Sequence, residues 1–271
     1  MYDVIATDLD GTLLNREHRL DPFTLATVRR LANQGLHFVL ATGRHYSDVA
    51  SIRELLGIRA YLITSNGARV HDPDNTVMYA RNVPSEIARQ LVLPNIAGHR
   101  VAINLFTNDD WLINREAPSL LEYHQDSGFR YRIIDMPTHD GNDVVKVFYI
   151  GEPNDLRQIE QRIKHAFGDT VHVTYSLSIC LEVMGPLVSK GRALESVLEH
   201  LGAAASRSIA FGDNLNDVEL LRTVGHPFVM NNAHPELIAQ LPHVPRIGNN
   251  FEAAVAHQLC RLFEFDTPML D

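Results

Sequence analysis

The feature that most constrains this chain is a rhythm that stops and then starts again. Short apolar runs alternate with helical stretches up to about residue 83, the alternation lapses for about a hundred residues, and it resumes near residue 188. Strand and helix alternating at this spacing build a parallel sheet with helices on both faces. When the rhythm returns, the resumed half completes the first half's sheet and the intervening stretch stands aside as an insertion.

The local signals support this reading. Val4-Ile5-Ala6 predicts a first strand, and Asp21-Pro22 caps a helix that runs to Gln34 and ends at Gly35. Strands over 36–41 and 61–64 flank a helix over 46–56 that stops at Gly57, and a hairpin of 68–71 with 77–80 follows Asn66-Gly67. In the middle stretch, helices over 85–93, 117–127 and 155–167 mix with strand-like runs at 101–106, 111–114, 131–134, 144–150, 171–175 and 179–184. Such a mixture predicts a sheet of its own with helices on one face. Beyond it come a helix over 189–201, a strand at 209–211, a helix over 216–222, short strands at 228–230 and 244–247, and helices beginning at His234 and Asn250. The expected organisation is an α/β, Rossmann-like core of residues 1–83 and 188–271 holding an inserted α+β domain of residues 84–187.

Polar clusters sit where the core strands end. Asp8-Leu9-Asp10-Gly11-Thr12 follows the first strand; alternation along the pleat predicts both acids on one face, and Gly11 permits a sharp turn. Two carboxylates so placed suit a nucleophile and an acid/base with a hard cation between substrate and protein, although the same residues also suit an ordinary turn. Thr42-Gly43 follows the second run, Ser189-Lys190-Gly191 opens a helix, and Gly212-Asp213 through Asn216-Asp217 closes a later strand. A lysine at a helix start is disfavoured by the helix dipole, which points to another reason for Lys190. Ligands of open parallel sheets bind beyond the carboxyl ends of the strands, so these clusters are expected at one rim.

In residue type and chain order the four clusters resemble the motifs of the haloacid dehalogenase superfamily of phosphohydrolases. The insertion after the third strand is similar to that superfamily's type C2 cap. Thr64-Ser65-Asn66-Gly67-Ala68 and Cys180-Leu181-Glu182-Val183-Met184 resemble its Cof-like branch, which includes sugar-phosphate and pyridoxal-phosphate phosphatases. The resemblance implies that Asp8 attacks phosphorus to form an aspartyl-phosphate and that Asp10 protonates the leaving group and then deprotonates water. It implies Mg2+ held by the Asp8 carboxylate, the Asp10 main-chain carbonyl and Asp213, with Asp217 orienting that shell from behind. Leu9 through its amide, Thr42, Gly43, Lys190 and Asn216 would receive the phosphoryl oxygens. Arg44, His45 and Tyr46, beside the second motif, and Trp111 and Arg115, in the insertion, are candidate selectivity contacts. Two alternatives stay open: a phosphomutase or phosphotransferase using the same intermediate, and a non-enzymatic phospho-aspartate or divalent-ion binding module. Asp10, Lys190 and an insertion of this length argue against the module, which needs no lid.

Composition sets the outer bounds. A net charge of −9, with no basic run, argues against a nucleic-acid or membrane-surface binder. Met1-Tyr2-Asp3-Val4 lacks the pattern of a leader, and no apolar run approaches membrane-spanning length, so a cytoplasmic location is expected. Cys180 and Cys260 are expected as buried reduced thiols, and the 14 histidines show no paired metal spacing. There is no phosphate-binding Gly-x-x-x-x-Gly-Lys loop, no Gly-x-Gly-x-x-Gly and no Gly-x-Ser-x-Gly. The expected partner is a small phosphorylated metabolite, and no protein partner is implied.

Overall fold

The computed structural model describes residues 2–124 and 127–265. β1 (Val4–Thr7), α1 (Pro22–Asn33), β2 (His37–Ala41), α2 (Tyr46–Leu56) and β3 (Ala60–Thr64) come first, then the hairpin of β4 (Arg69–His71) and β5 (Val77–Ala80). The middle stretch contributes α3 (Ser85–Leu91), α4 (Pro94–Ala97), β6 (Ala102–Phe106), β7 (Trp111–Ile113) and α5 (Pro118–Leu121). It continues with β8 (Tyr131–Ile133), β9 (Lys146–Ile150), α6 (Pro153–Phe167), β10 (His172–Leu177) and β11 (Cys180–Met184). The chain then runs through α7 (Lys190–Leu201), β12 (Ser208–Gly212), α8 (Val218–Thr223), β13 (His226–Val229), α9 (Pro235–Gln240) and α10 (Ala254–Leu262).

Seven strands form one sheet in the order β13-β12-β1-β2-β3-β4-β5, parallel from β13 to β3 and antiparallel at the hairpin. β1 lies between β12 and β2, where the strand order reverses, and the crevice outside such a switch point is the usual ligand site. All four β1 residues are buried, as a central parallel strand covered on both faces requires. One face carries Ile5, Phe38, Leu40, Leu62 and Phe211 under α1, α2 and α10. The other carries Val4, Ala6, Val39 and Ala210 under α7 to α9. Asp21 caps α1 by accepting the Phe23 and Thr24 amides at 2.8 and 3.3 Å.

The second sheet, β10-β11-β9-β6-β7-β8, is built wholly from the middle stretch. Its period-2 pattern sends Leu105, Val147, Tyr149, Leu181 and Val183 into a core with α3, α4 and α6. The alternate residues Phe106, Lys146, Phe148, Ile150, Cys180 and Glu182 face the rim of the first sheet and line the cleft between the two. That two-sided division specifies the register, because a slip of one residue would exchange the faces.

Two expected elements come out differently. The helix over 117–127 shrinks to α5 and a 3-10 turn at Glu122–His124, ended by Gly128 in the left-handed region, while residues 125–126 lie outside those described. The strand at 244–247 is a single parallel bridge between Val229 and Arg246, because Pro245 has no amide to donate to a ladder. Cys180 and Cys260 are both buried free thiols. Among the described residues no helix is long and apolar enough to cross a membrane.

Candidate active site

β1 ends at Thr7, three residues short of Asp10, through which the pleat argument carried the strand. Asp8 still donates its amide to Phe211 O at 3.0 Å, but the chain then winds through a wide turn closed by Leu13 N to Asp8 O at 3.3 Å and Leu14 N to Leu9 O at 2.9 Å. The turn, rather than strand alternation, brings Asp8 and Asp10 to the same cleft, while the Leu9 side chain drops into the core. Gly11 makes this possible at φ 80°. A Cβ there would lie 2.4 Å from Asp213 Oδ2.

Asp8 is nearly buried and accepts a hydrogen bond from Lys190 Nζ at 2.5 Å. Lys190, with 0% exposure, also donates to Asp217 Oδ1 at 2.6 Å. Burial alone would draw its pKa down, but the Asp217 and Asp8 carboxylates hold it well above the ordinary amine value. This explains a lysine at the start of α7: two acids outweigh the dipole. Asp217 Oδ2 in turn accepts the amides of Asp213 and Asn214, each at 3.0 Å, so the side chain is fixed on both oxygens.

Asp213 lies across from Asp8 and accepts the Thr12 hydroxyl at 2.8 Å. Carboxylate oxygens of Asp8, Asp213 and Asp217 all fall within 4.8 Å of one another. Burial first, then the neighbouring Asp217, pushes Asp213 up to about 7, and burial also raises Asp8 despite Lys190. Crowded, desolvated oxygen donors of this kind fit a hard divalent cation, whose charge would remove the repulsion.

The remaining motif residues close the ring. Thr42 is buried, and its Oγ1 accepts the Arg44 amide at 3.1 Å. Asn216 Nδ2 donates to Asn66 Oδ1 at 3.0 Å. Asn66 stands in a run of left-handed residues, Ser65 to Gly67, packed so tightly that a Cβ on Gly67 would lie 2.2 Å from Ser189 O. Asp10 is held by Arg44, which donates Nε to Oδ2 at 2.7 Å and Nη2 to Oδ1 at 2.6 Å, and it contacts His18 Nδ1 at 2.8 Å. Burial would raise the Asp10 carboxyl, but these hydrogen bonds hold it well below the usual range and keep it ionised.

A sequence profile of haloacid dehalogenase-like hydrolases matches residues 5–259. The chain belongs to that family. This hydrolase is 39% identical over 267 residues to a Haemophilus influenzae protein, with 98% of each chain covered. It is 38% identical over 265 residues to the HMP-PP phosphatase of Shigella flexneri serotype 5b, covering 98% of this chain and 97% of that one. Its fold superposes on a haloacid dehalogenase-like hydrolase from B. subtilis with TM-score 0.85 at 24% identity, over 96% of this chain and 99% of that one. A second such hydrolase, from Bacteroides thetaiotaomicron, gives TM-score 0.84 at 22% identity, covering 97% and 100%.

Within the hydrolase, the residues expected to contact a leaving group divide. Arg44 and Trp111 line the cleft, although Arg44 is engaged with Asp10 and Asp48, and Trp111 donates Nε1 to Asn104 at 2.9 Å. His45, Tyr46 and Arg115 do not line it. His45 caps α2 and reaches Thr107 O at 3.0 Å, Tyr46 stacks on His71, and Arg115 donates to His99 O on the surface. Sequence reasoning also missed a buried ion pair in the roof. Lys146 joins Glu182 diagonally across β9 and β11 and donates to Gly43 O at 2.7 Å, while Glu182 accepts Asn66 Nδ2 at 2.5 Å. A single charge inside each of the apolar strands VVKVFYI and CLEVM was the available signal.

Proposed function

We propose that this hydrolase is a phosphomonoesterase for small metabolites that works through an aspartyl-phosphate on Asp8. The observation that carries the reading is Lys190, wholly buried and bonded to both Asp8 and Asp217. It fixes the Asp8 carboxylate and brings a positive charge to where phosphoryl oxygens gather. In the first step an Asp8 oxygen bonds to phosphorus, the ester P–O bond breaks, and the leaving oxygen takes a proton from Asp10. In the second, water attacks the same phosphorus, Asp10 takes the proton and the Asp8–phosphorus bond breaks. Asp10, whose carboxyl the Arg44 and His18 contacts hold well below the usual range, would be ionised, the form the second step needs. Thr42, Asn216 and the amides after Asp8 and Thr42 receive the equatorial oxygens.

Asp8 and Asp213, with the Asp10 carbonyl, would hold Mg2+, and Asp217 would brace them through the Asp213 amide. Bound there, the ion would neutralise the crowded acids and draw charge from a phosphoryl oxygen. Phe106, Trp111 and Phe148 wall the leaving-group side, together with Lys146 and Glu182. Aromatic walls favour a flat ring over a saturated polyol, because ring faces stack and hydroxyls would lose water without enough partners. Pyridoxal phosphate is therefore ranked ahead of sugar phosphates, and the HMP-PP for which the Shigella flexneri relative is named joins the panel on that likeness alone, its cleaved P–O bond running to a second phosphate rather than to an ester oxygen. The test is a panel of phosphorylated metabolites, read as inorganic phosphate released into water without a bisphosphate activator. Chelation should silence release and magnesium should restore it. Full activity after exhaustive chelation, or transfer without release, would overturn the reading.

A further inference from the structure

Asn66 joins three parts of the site without lining the cleft itself. It is 1% exposed and sits two residues past β3 in the left-handed region, at φ 58°, a conformation that asparagine adopts more readily than most residues. There its backbone amide donates to Thr42 O at 3.0 Å, and its side chain lies so near the second motif that a Cβ on Gly43 would come within 3.0 Å of Oδ1. The same side chain spans from the inserted sheet to the fourth motif. Its Nδ2 donates to Glu182 Oε2 at 2.5 Å, and its Oδ1 accepts Asn216 Nδ2 at 3.0 Å.

An asparagine amide can sit either way round, and the network around it decides which. Glu182, paired with Lys146, offers only acceptor oxygens, so the Asn66 NH2 must face it and the Asn66 carbonyl must face Asn216. A carbonyl accepts and does not donate, so Asn216 must turn its own NH2 toward Asn66. That NH2 spends one hydrogen on Asn66 and keeps a second for the cleft, which Asn216 lines. Without Asn66, Asn216 would be free to turn its carbonyl to a phosphoryl oxygen, and two acceptors would meet.

We infer that Asn66 is a positioning residue for phosphoryl transfer: Glu182 of the inserted sheet sets its amide, and Asn66 in turn sets the Asn216 NH2 toward the phosphoryl oxygens. What Asn216 meets rests on the phosphomonoesterase reading. Asn66 touches no reacting atom and acts through Asn216. A glutamine at 182 would still offer Asn66 an acceptor oxygen, so variants of Asn66, and not of Glu182, test the relay.

The test is a double-mutant cycle in the full chain, pairing Asn66→Gly, which keeps the left-handed backbone and removes the amide, with Asn216→Ala. Alone, Asn66→Gly should lower kcat about tenfold on every ester, the scale of one misplaced hydrogen bond, with KM little changed. Beside Asn216→Ala it should lower kcat less than about twofold, because nothing is left for it to orient. Equal losses in both backgrounds, as a merely structural role would give, overturn the inference, and so does wild-type kcat in Asn66→Gly. Circular dichroism checks folding; should Asn66→Gly unfold, the nearly isosteric Asn66→Asp, whose carboxylate cannot donate to Glu182, takes its place in the cycle. The same cycle read by calorimetry as affinity for orthophosphate needs no turnover. There Asn66→Gly should weaken binding about fivefold alone and less than about twofold beside Asn216→Ala, and equal weakening in both overturns the inference. A wild-type chain that releases phosphate from no ester sinks the phosphomonoesterase reading, whereas additive losses in an active enzyme sink only the positioning role.

Discussion

The rim of the seven-stranded sheet and the facing side of the inserted sheet meet across one cleft, but they are built by opposite rules. The rim is made of turns after strands and a helix start; there Lys190 pairs with Asp8 and Asp217, carboxylate oxygens of Asp8, Asp213 and Asp217 lie within 4.8 Å of one another, Asp10 pairs with Arg44, and two of the acids are driven upward in pKa. The facing side is made of strand interiors, mostly aromatic and aliphatic, with one buried ion pair. Turns can aim several backbone and side-chain groups at one point, whereas a strand offers every second side chain at a fixed spacing. The first arrangement suits a phosphoryl group, identical in every substrate. The second suits the part that varies.

The largest effect is expected from Asp8→Asn, which should lower turnover about a thousandfold or more because an amide does not attack phosphorus, with the circular dichroism unchanged. Near-normal hydrolysis of a chromogenic ester would remove Asp8 from the reaction. Lys190→Met should lower kcat about a hundredfold on every substrate to a similar degree, since Lys190 bears on the common group. It should also cost about 3 kcal/mol of stability in denaturant unfolding, because Asp8 and Asp217 lose their buried partner. On the facing side, Lys146→Met or Glu182→Gln should reorder a substrate panel by about tenfold in kcat/KM while a minimal aryl phosphate changes much less. Uniform loss from those two variants, with reordering from Lys190→Met, would dissolve the contrast between the two sides. The smallest change, under about twofold, is expected from Arg115→Ala, whose exposed contact to the His99 carbonyl is solvent-screened. A substantial shift in substrate ranking there would mean that the cleft extends to the surface of the inserted sheet.

The same contrast governs what the sequence allowed to be read. Asp8, Thr42, Lys190 and Asp213 each sit just past a recognisable strand or at a recognisable helix start, so local signals and topology brought them to one rim. Helix caps such as Asp21 and Gly57 were equally legible, since the capping chemistry is local. Lys146 and Glu182 were not, because their partnership depends on the register of two strands more than thirty residues apart in the chain. His45 and Tyr46 were drawn to the cleft by adjacency to Thr42-Gly43, but α2 starts there and its first turn carries them to the other side of the wall. The bridge at Arg246 replaced a strand because a proline outranks the apolar character of its neighbours.

The central position of β1 has a consequence for the order in which the protein is made. Val4 to Thr7 pair with Ser208 to Phe211, about two hundred residues later, so the inner ladder of the sheet closes only after most of the chain has left the ribosome. Such a distant pairing is slow to find. Until then β1 presents a bare apolar edge, while the inserted sheet, whose strands lie within residues 102–184, already has all its partners. The newborn chain is thus expected to hold a finished inserted sheet over an unfinished floor, and Asp8 and Asp213 meet only with the last third of synthesis, so a product truncated before β12 would carry Asp8 without the acid proposed to share its cation.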